Sequence, residues 1–69
     1  MKKIEAQDTV RVLRDIIRAE GPYANAGERG LVLELFQPHA SPKSPWYAKV
    51  QMTEGGIKTF RATSLGIVE

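Results

Sequence analysis

The residues that have the chemistry to catalyse a reaction are few and poorly grouped. His39 is the single imidazole of the chain, and Ser41 lies two positions after it in a run that contains two prolines. A serine beside a histidine can act as an activated nucleophile when a third group orients the base. No orienting acid is identifiable, and a polar, proline-rich loop does not hold a general base in a fixed geometry. We therefore predict that His39 is solvent-exposed and that the chain is not an enzyme.

Metal and phosphate sites are also poorly supported. The chain has no cysteine, and its one histidine cannot complete a zinc sphere. The segment Gly27-Glu28-Arg29-Gly30 is too short for a phosphate loop and lacks the lysine and hydroxyl that would follow. Six acidic residues of the chain are dispersed and form no ligand run such as an EF-hand loop: Asp8, Asp15, Glu20, Glu28, Glu34 and Glu54. We expect no bound metal, no cofactor and no small-molecule substrate.

Aromatic residues beside turn residues are better candidates for a binding surface. Tyr23 follows Gly21-Pro22, and Trp46 and Tyr47 follow Pro45. Tryptophan and tyrosine offer large, rigid contact areas at low entropic cost and are frequent interface anchors. The sequence therefore predicts a protein-interaction site that contains Tyr23, Trp46 and Tyr47. The alternative is that Trp46 seals a thin core and that one tyrosine merely covers it.

Basic residues form a second candidate surface. The set consists of Arg11, Arg14, Lys49, Lys58 and Arg61. Lys49 and Arg61 would be cross-strand neighbours on one exposed face, and a basic face interleaved with Tyr47 is typical of single-stranded nucleic-acid binders. The alternative is a solvated strand face whose charges discourage edge pairing. A net charge of +2 favours nucleic acid only weakly.

These candidates must be positioned by short apolar segments. The segments cover residues 9–17, 31–36, 46–52 and 57–68, and Gly, Pro or Asn stands in each separator between them. Short segments with turn signals at this spacing predict an all-β meander. The separator at 37–45 holds three prolines and no acid, and it is interpreted either as a mobile loop that orders on binding or as an insertion without a role.

The third and fourth segments predict a hairpin. In residues 46–52 the polar Lys49 and Gln51 alternate with apolar neighbours, which is the period of a half-buried strand. Gly55-Gly56 supplies the positive-φ residues of a tight turn, and residues 57–63 return as the next strand. Residues 63–66 then predict a 3₁₀ turn and residues 67–68 a short closing strand, for a total of five strands.

The first segment has two interpretations. As a strand, residues 9–14 alternate only in part. As a helix, residues 9–20 place Val10, Leu13 and Ile17 on one stripe, with Asp8 as N-cap and Gly21-Pro22 as the stop. The β-branched residues of the segment lower its helix propensity and favour the strand.

Three motifs give the chain a resemblance to a family of folds. They are residues 8–14, the step Gly27-Glu28-Arg29-Gly30-Leu31-Val32, and the ending in which Phe60 precedes Thr63-Ser64-Leu65 and Ile67-Val68. This pattern resembles SH3-like small barrels, such as the photosystem I reaction-centre subunit IV, the variable chain of ferredoxin-thioredoxin reductase and, more loosely, KOW-type modules.

The resemblance implies a fold and no particular activity. It implies a five-stranded SH3-like barrel with two long loops and a terminal 3₁₀ turn, with Leu65 filling the barrel end. Tyr23 and Trp46-Tyr47 would then flank the groove between the loops, where many such folds bind partners. Residues 16–20 and 37–45 depart from the pattern because they lengthen two of its loops.

Size and composition complete the expectation. The 69 residues allow one domain, 1–69, with residues 1–7 as a flexible N-terminus. A chain of this mass buries only about 60% of its surface, so docking onto a protein partner or a second copy is expected. The N-terminus lacks the apolar run of a signal peptide, and no apolar stretch is long enough for a membrane helix. We therefore predict a cytoplasmic interaction module or accessory subunit, with nucleic-acid binding as the alternative function.

Overall fold

A computed structural model describes residues 3–38 and 43–68 of the chain. Within these residues the seven strands are β1 (Thr9–Val12), β2 (Ile16–Arg18), β3 (Gly21–Ala24), β4 (Arg29–Phe36), β5 (Tyr47–Met52), β6 (Ile57–Arg61) and β7 (Leu65–Ile67), and a 3₁₀ turn (Ala62–Ser64) precedes β7. The all-β prediction is confirmed, and the helical alternative for residues 9–20 is wrong. In the described ranges no helix is long and apolar enough to cross a membrane. His39 and Ser41 lie outside the described residues.

Five of the strands form one antiparallel sheet. Its order is β6-β5-β4-β1-β7, while β2 and β3 pair only with each other. The predicted β5–β6 hairpin is present, and Gly55 and Gly56 turn it with φ angles of 111° and 82°. Both angles lie in the left-handed region that glycine adopts without steric cost.

Two local predictions need correction. The 3₁₀ turn covers Ala62–Ser64, so Leu65 and Gly66 belong to β7 and not to the turn. The first long loop is also more ordered than expected, because residues 16–24 form the β2–β3 hairpin. Gly21 opens β3 with a φ of 127°, and the β-branched Ile16 and Ile17 suit the strand before it.

The core is made of small and medium apolar side chains and one aromatic ring. Its buried members are Val10, Val12, Ala24, Val32, Ala48, Val50, Met52, Phe60 and Leu65. Burial alternates along β1 and β5, as expected for strands with one face on the core and one in solvent. At Gly30 the neighbouring strand approaches so closely that a Cβ would lie 2.6 Å from the Gln51 carbonyl oxygen and against Val50. Glycine at this position therefore permits the β4–β5 packing.

The N-terminal segment is attached to the sheet. Ile4 packs against the core, and the Gln7 amide donates to the Val32 carbonyl over 2.7 Å. The Val32 amide donates in turn to the Asp8 carbonyl over 2.9 Å. Gln7 and Asp8 thus continue the β1–β4 pairing, and the N-terminal segment that was expected to be flexible forms part of the surface of the domain.

Candidate functional site

The described surface contains an open, mainly apolar groove of about 1080 Å³. It lies between the N-terminal segment, the residue after β1, the end of β4, residues 44–46 and the 3₁₀ turn with β7. Its apolar walls include Ile4, Leu13, Leu35, Trp46, Leu65 and Ile67. Since Lys3 and Glu5 are the charged residues among the described lining, the groove is suited to apolar contact.

Trp46 is the most prominent side chain of this groove. Its backbone carbonyl accepts a hydrogen bond from the Ala62 amide over 2.9 Å, which joins the start of β5 to the 3₁₀ turn. The residue is 46% exposed, and Lys3 Nζ lies 6.0 Å from the centroid of the indole ring. The alternative in which Trp46 seals the core is therefore wrong, because the residue is exposed and is not a member of the buried core.

Leu13 and Gly66 together form another wall of the groove. A Cβ at Gly66 would lie 2.8 Å from Leu13 Cδ2 and 3.9 Å from Arg11 Nε. The side chains of Leu13 and Arg11 thus fold over the bare backbone of β7. Leu13 is 47% exposed, so it contributes an apolar surface that a ligand can reach.

Tyr23 lies elsewhere, at the junction of the β2–β3 hairpin and β6. Its ring packs edge-on against Phe60 with centroids 5.6 Å apart, and its hydroxyl accepts a hydrogen bond from the Thr59 amide over 2.8 Å. Lys58 Nζ donates to the Tyr23 carbonyl over 2.7 Å. The Arg18 guanidinium stacks 3.6 Å from the Tyr23 centroid and donates to the Thr59 carbonyl over 3.3 Å. We call this set of contacts the Tyr23 latch, because it covers the edge of β6.

Tyr47 occupies a third place. It is half-buried, and its ring stacks on that of Phe36 with centroids 5.9 Å apart and planes inclined by 20°. Neither Tyr23 nor Tyr47 lines the groove that contains Trp46. The three aromatic residues therefore lie at three separate places, because Tyr47 stacks on Phe36 and Tyr23 is bonded to β6.

The predicted basic residues also separate. Lys49 and Arg61 point outward, but Lys49 pairs with Thr59 and Arg61 with Tyr47, so the two cations are diagonal and not direct neighbours. Lys58 is drawn into the Tyr23 latch and lies 3.9 Å from Glu28 Oε1. Arg14 is exposed in the connection after β1.

Arg29, which was not predicted from the sequence, is a further exposed cation of the sheet. It lies at the start of β4 and stands directly opposite Arg11 of β1. Only the β1–β4 register reveals this pair, since the two residues are far apart in the chain. The outward-facing cations of the five-stranded sheet are therefore Arg11, Arg29, Lys49 and Arg61, and we call this surface the basic face. Over the described ranges none of the four forms an ion pair within 4.0 Å.

The part of the chain that the structure describes contains no group of three or more His, Cys, Asp or Glu residues placed to hold a metal ion. Comparison with protein-family models, with curated proteins and with solved structures finds no significant match for this chain. The candidate site is therefore defined by its geometry: an apolar groove with an exposed indole, bordered by a basic face.

Proposed function

We propose that the chain is a non-enzymatic protein-interaction module, or small accessory subunit, whose groove receives an apolar segment of a partner protein. The observation that carries this proposal is the 46% exposure of Trp46 inside an apolar groove. A concave apolar surface with a large aromatic anchor is a typical binding site, and tryptophan is enriched among the residues that dominate interface energies. The fold leaves apolar surface of Trp46 exposed, and a partner that buries the ring would remove this surface from water.

We further propose that the fold is a five-stranded SH3-like barrel. The strand order β6-β5-β4-β1-β7, the hairpin in the first long connection and the 3₁₀ turn before the last strand all support it. A barrel of this kind leaves little free sheet edge, which suits a chain with a thin core. The fold proposal carries no activity with it, since one fold hosts many functions.

The interaction proposal is tested with a displayed library of random 12-residue peptides selected on the full chain. The affinity of an enriched peptide is then measured for the native chain, for Trp46→Ala and for Ile57→Ala. Ile57 is a matched control because its side chain is 56% exposed and lies outside the groove. Loss of a buried aromatic anchor typically weakens binding about tenfold or more. The affinity of the peptide for Trp46→Ala should therefore fall by this factor, whereas its affinity for Ile57→Ala should not change. Failure to enrich any peptide, or equal binding by both variants, would contradict the proposal.

A second candidate function is binding of single-stranded nucleic acid on the basic face. It is favoured by the four outward cations, which share this face with Tyr47, Phe36 and Glu34. Phosphates would contact the cations, and bases would stack on the aromatic pair.

Fluorescence anisotropy with a labelled 20-nucleotide single strand tests this second function. Affinity should fall steeply with salt, and Lys49→Gln with Arg61→Gln should reduce the slope by about one for each phosphate that the variant no longer neutralises. Arg14→Gln is the control, because Arg14 is an exposed cation outside the basic face. No binding at about 50 mM salt would exclude this function.

A further inference from the structure

The carboxylates and the cations of this chain are used in different ways. Asp8 Oδ2 accepts a hydrogen bond from the Glu5 amide over 2.9 Å, and Asp15 Oδ1 accepts one from the Ala26 amide over 2.8 Å. Glu28 accepts one from the Asn25 amide with its second oxygen while the first faces Lys58. Three acids are therefore engaged in holding turns. The basic face has no such internal partners within the described residues.

Arg11 connects the basic face to the groove. Its guanidinium lies beside Gly66, which lines the groove, and its strand neighbour is Arg29. Like charges directly opposite each other on adjacent strands destabilise a sheet, so this pair is costly to the free chain. A carboxylate placed between two guanidiniums would form charge-assisted hydrogen bonds with both and remove the repulsion.

A second cation lies at the Trp46 side of the groove. Lys3 Nζ stands 6.0 Å from the indole centroid, and the charge that opposes it among the lining residues is that of Glu5. Among the described residues around the groove, Lys3 and Arg11 are opposed by Glu5, and Arg29 adds a further positive charge on β4, directly opposite Arg11. A second copy of this chain, with its net charge of +2, would be repelled rather than attracted.

From this charge complementarity, and resting on the proposed function, we infer that the groove selects an acidic segment of a partner protein. The apolar core of that segment contacts Trp46 and Leu13. The aspartate or glutamate residues that flank the core pair with Arg11 and Arg29. The apolar core supplies affinity. The acidic flank supplies selectivity and accelerates association, as complementary charge at an interface edge generally does.

The experiment uses three displayed libraries that share a random six-residue apolar core and differ only in their flanks of three residues on each side. The flanks are Asp/Glu in the first library, Lys/Arg in the second and Ser/Gly in the third. All three are selected on the full native chain at low salt. We expect enrichment from the acidic library over the other two by tenfold or more, and an affinity for the enriched peptide that falls as salt is added.

Variants then separate the two proposals. Arg11→Gln with Arg29→Gln should weaken the enriched acidic peptide about tenfold and flatten its salt dependence, whereas Arg14→Gln should leave both unchanged within about twofold. Equal enrichment from all three libraries, with binding still abolished in Trp46→Ala, would overturn the acidic selectivity and leave the interaction function standing. No enrichment from any library would overturn both. A dimer in sedimentation that Trp46→Ala dissociates would assign the groove to a second copy and overturn the inference.

Discussion

Two aromatic residues, Tyr23 in the latch and Trp46 in the groove, have opposite environments. Tyr23 has its ring against Phe60 and its hydroxyl on the Thr59 amide, so both its apolar and its polar parts serve the fold. The backbone of Trp46 is hydrogen-bonded to the 3₁₀ turn, but the residue is left 46% exposed. The difference separates a side chain that seals a sheet edge from one that is available to a ligand. Tyr23 and Trp46 look equivalent in the sequence, but we expect substitution of Tyr23 to lower stability and substitution of Trp46 to lower binding affinity.

The largest effect on stability is expected at Gly30 of β4. Gly30→Ala would force a methyl group against the Gln51 carbonyl and Val50, whose partner on β6 is the latch residue Lys58. Because the obstructing atoms include backbone, the strands must separate, and the free energy of unfolding should fall by about 3 kcal/mol. Urea unfolding measures this loss. A change below about 1 kcal/mol would show that β4 and β5 are less closely packed than the structure has them.

The next effect tests the latch itself. Tyr23→Phe keeps the edge-on contact with Phe60 but removes the acceptor of the Thr59 amide, so the free energy of unfolding should fall by about 1–2 kcal/mol. For a domain of this size the loss corresponds to a melting temperature lower by roughly 4–16 °C. Amide hydrogen exchange at Thr59 should accelerate more than exchange at the β4–β5 pairs. Unchanged exchange at Thr59 would show that the Tyr23 hydroxyl does not protect the Thr59 amide, which would contradict the role given to the latch.

Trp46→Ala is expected to have a smaller effect on stability than either change above. Trp46 is exposed and lies outside the buried core, so the free energy of unfolding should fall by about 1 kcal/mol or less while the selected peptide loses its affinity. Thermal unfolding and peptide titration on the same sample check both expectations. A loss of stability as large as that of Gly30→Ala would mean that Trp46 serves the fold after all.

The smallest effect is expected at Gly66, the groove counterpart of Gly30. The obstructing atom there is Leu13 Cδ2, the mobile end of an exposed side chain, and the backbone of Gly66 is not in the left-handed region. Gly66→Ala should therefore change the free energy of unfolding by no more than about 0.5 kcal/mol. It should displace Leu13, which methyl chemical shifts detect, and alter the affinity of the selected peptide. An unmoved Leu13 methyl resonance would argue against the described groove wall.

Much of the strand pattern was predictable from the sequence because its signals are local. Alternation at Ala48, Val50 and Met52 and the paired Gly55-Gly56 predict the β5–β6 hairpin without reference to the rest of the chain. The β2–β3 hairpin was missed because its short strands alternate poorly and its pairing contains a register shift at Ile16/Ile17. The displaced 3₁₀ turn is an error of one or two residues at an element boundary, where turn and strand preferences overlap.

The candidate site was less predictable, because it depends on which residues the strands bring together. From the sequence, Trp46 and Arg11 were predicted as binding residues, but Trp46 was grouped with Tyr23 and Tyr47, which lie at two other places. The predicted basic set also included Lys58, which is held by the latch, and omitted Arg29. Such assignments require the register and the side of the sheet, and a shift of one residue reverses every outward position.

By itself, the sequence determined the all-β class, the absence of cysteine chemistry and the residue types available for contact. Those properties depend on composition and on apolar spacing within single strands. The tertiary structure alone decided that Tyr23 seals β6, that Trp46 stays exposed in a groove and that Arg11 meets Arg29 across β1 and β4. The reason is physical: a side chain's role depends on which strands become neighbours, and that pairing is fixed by burial of the whole core rather than by any one segment.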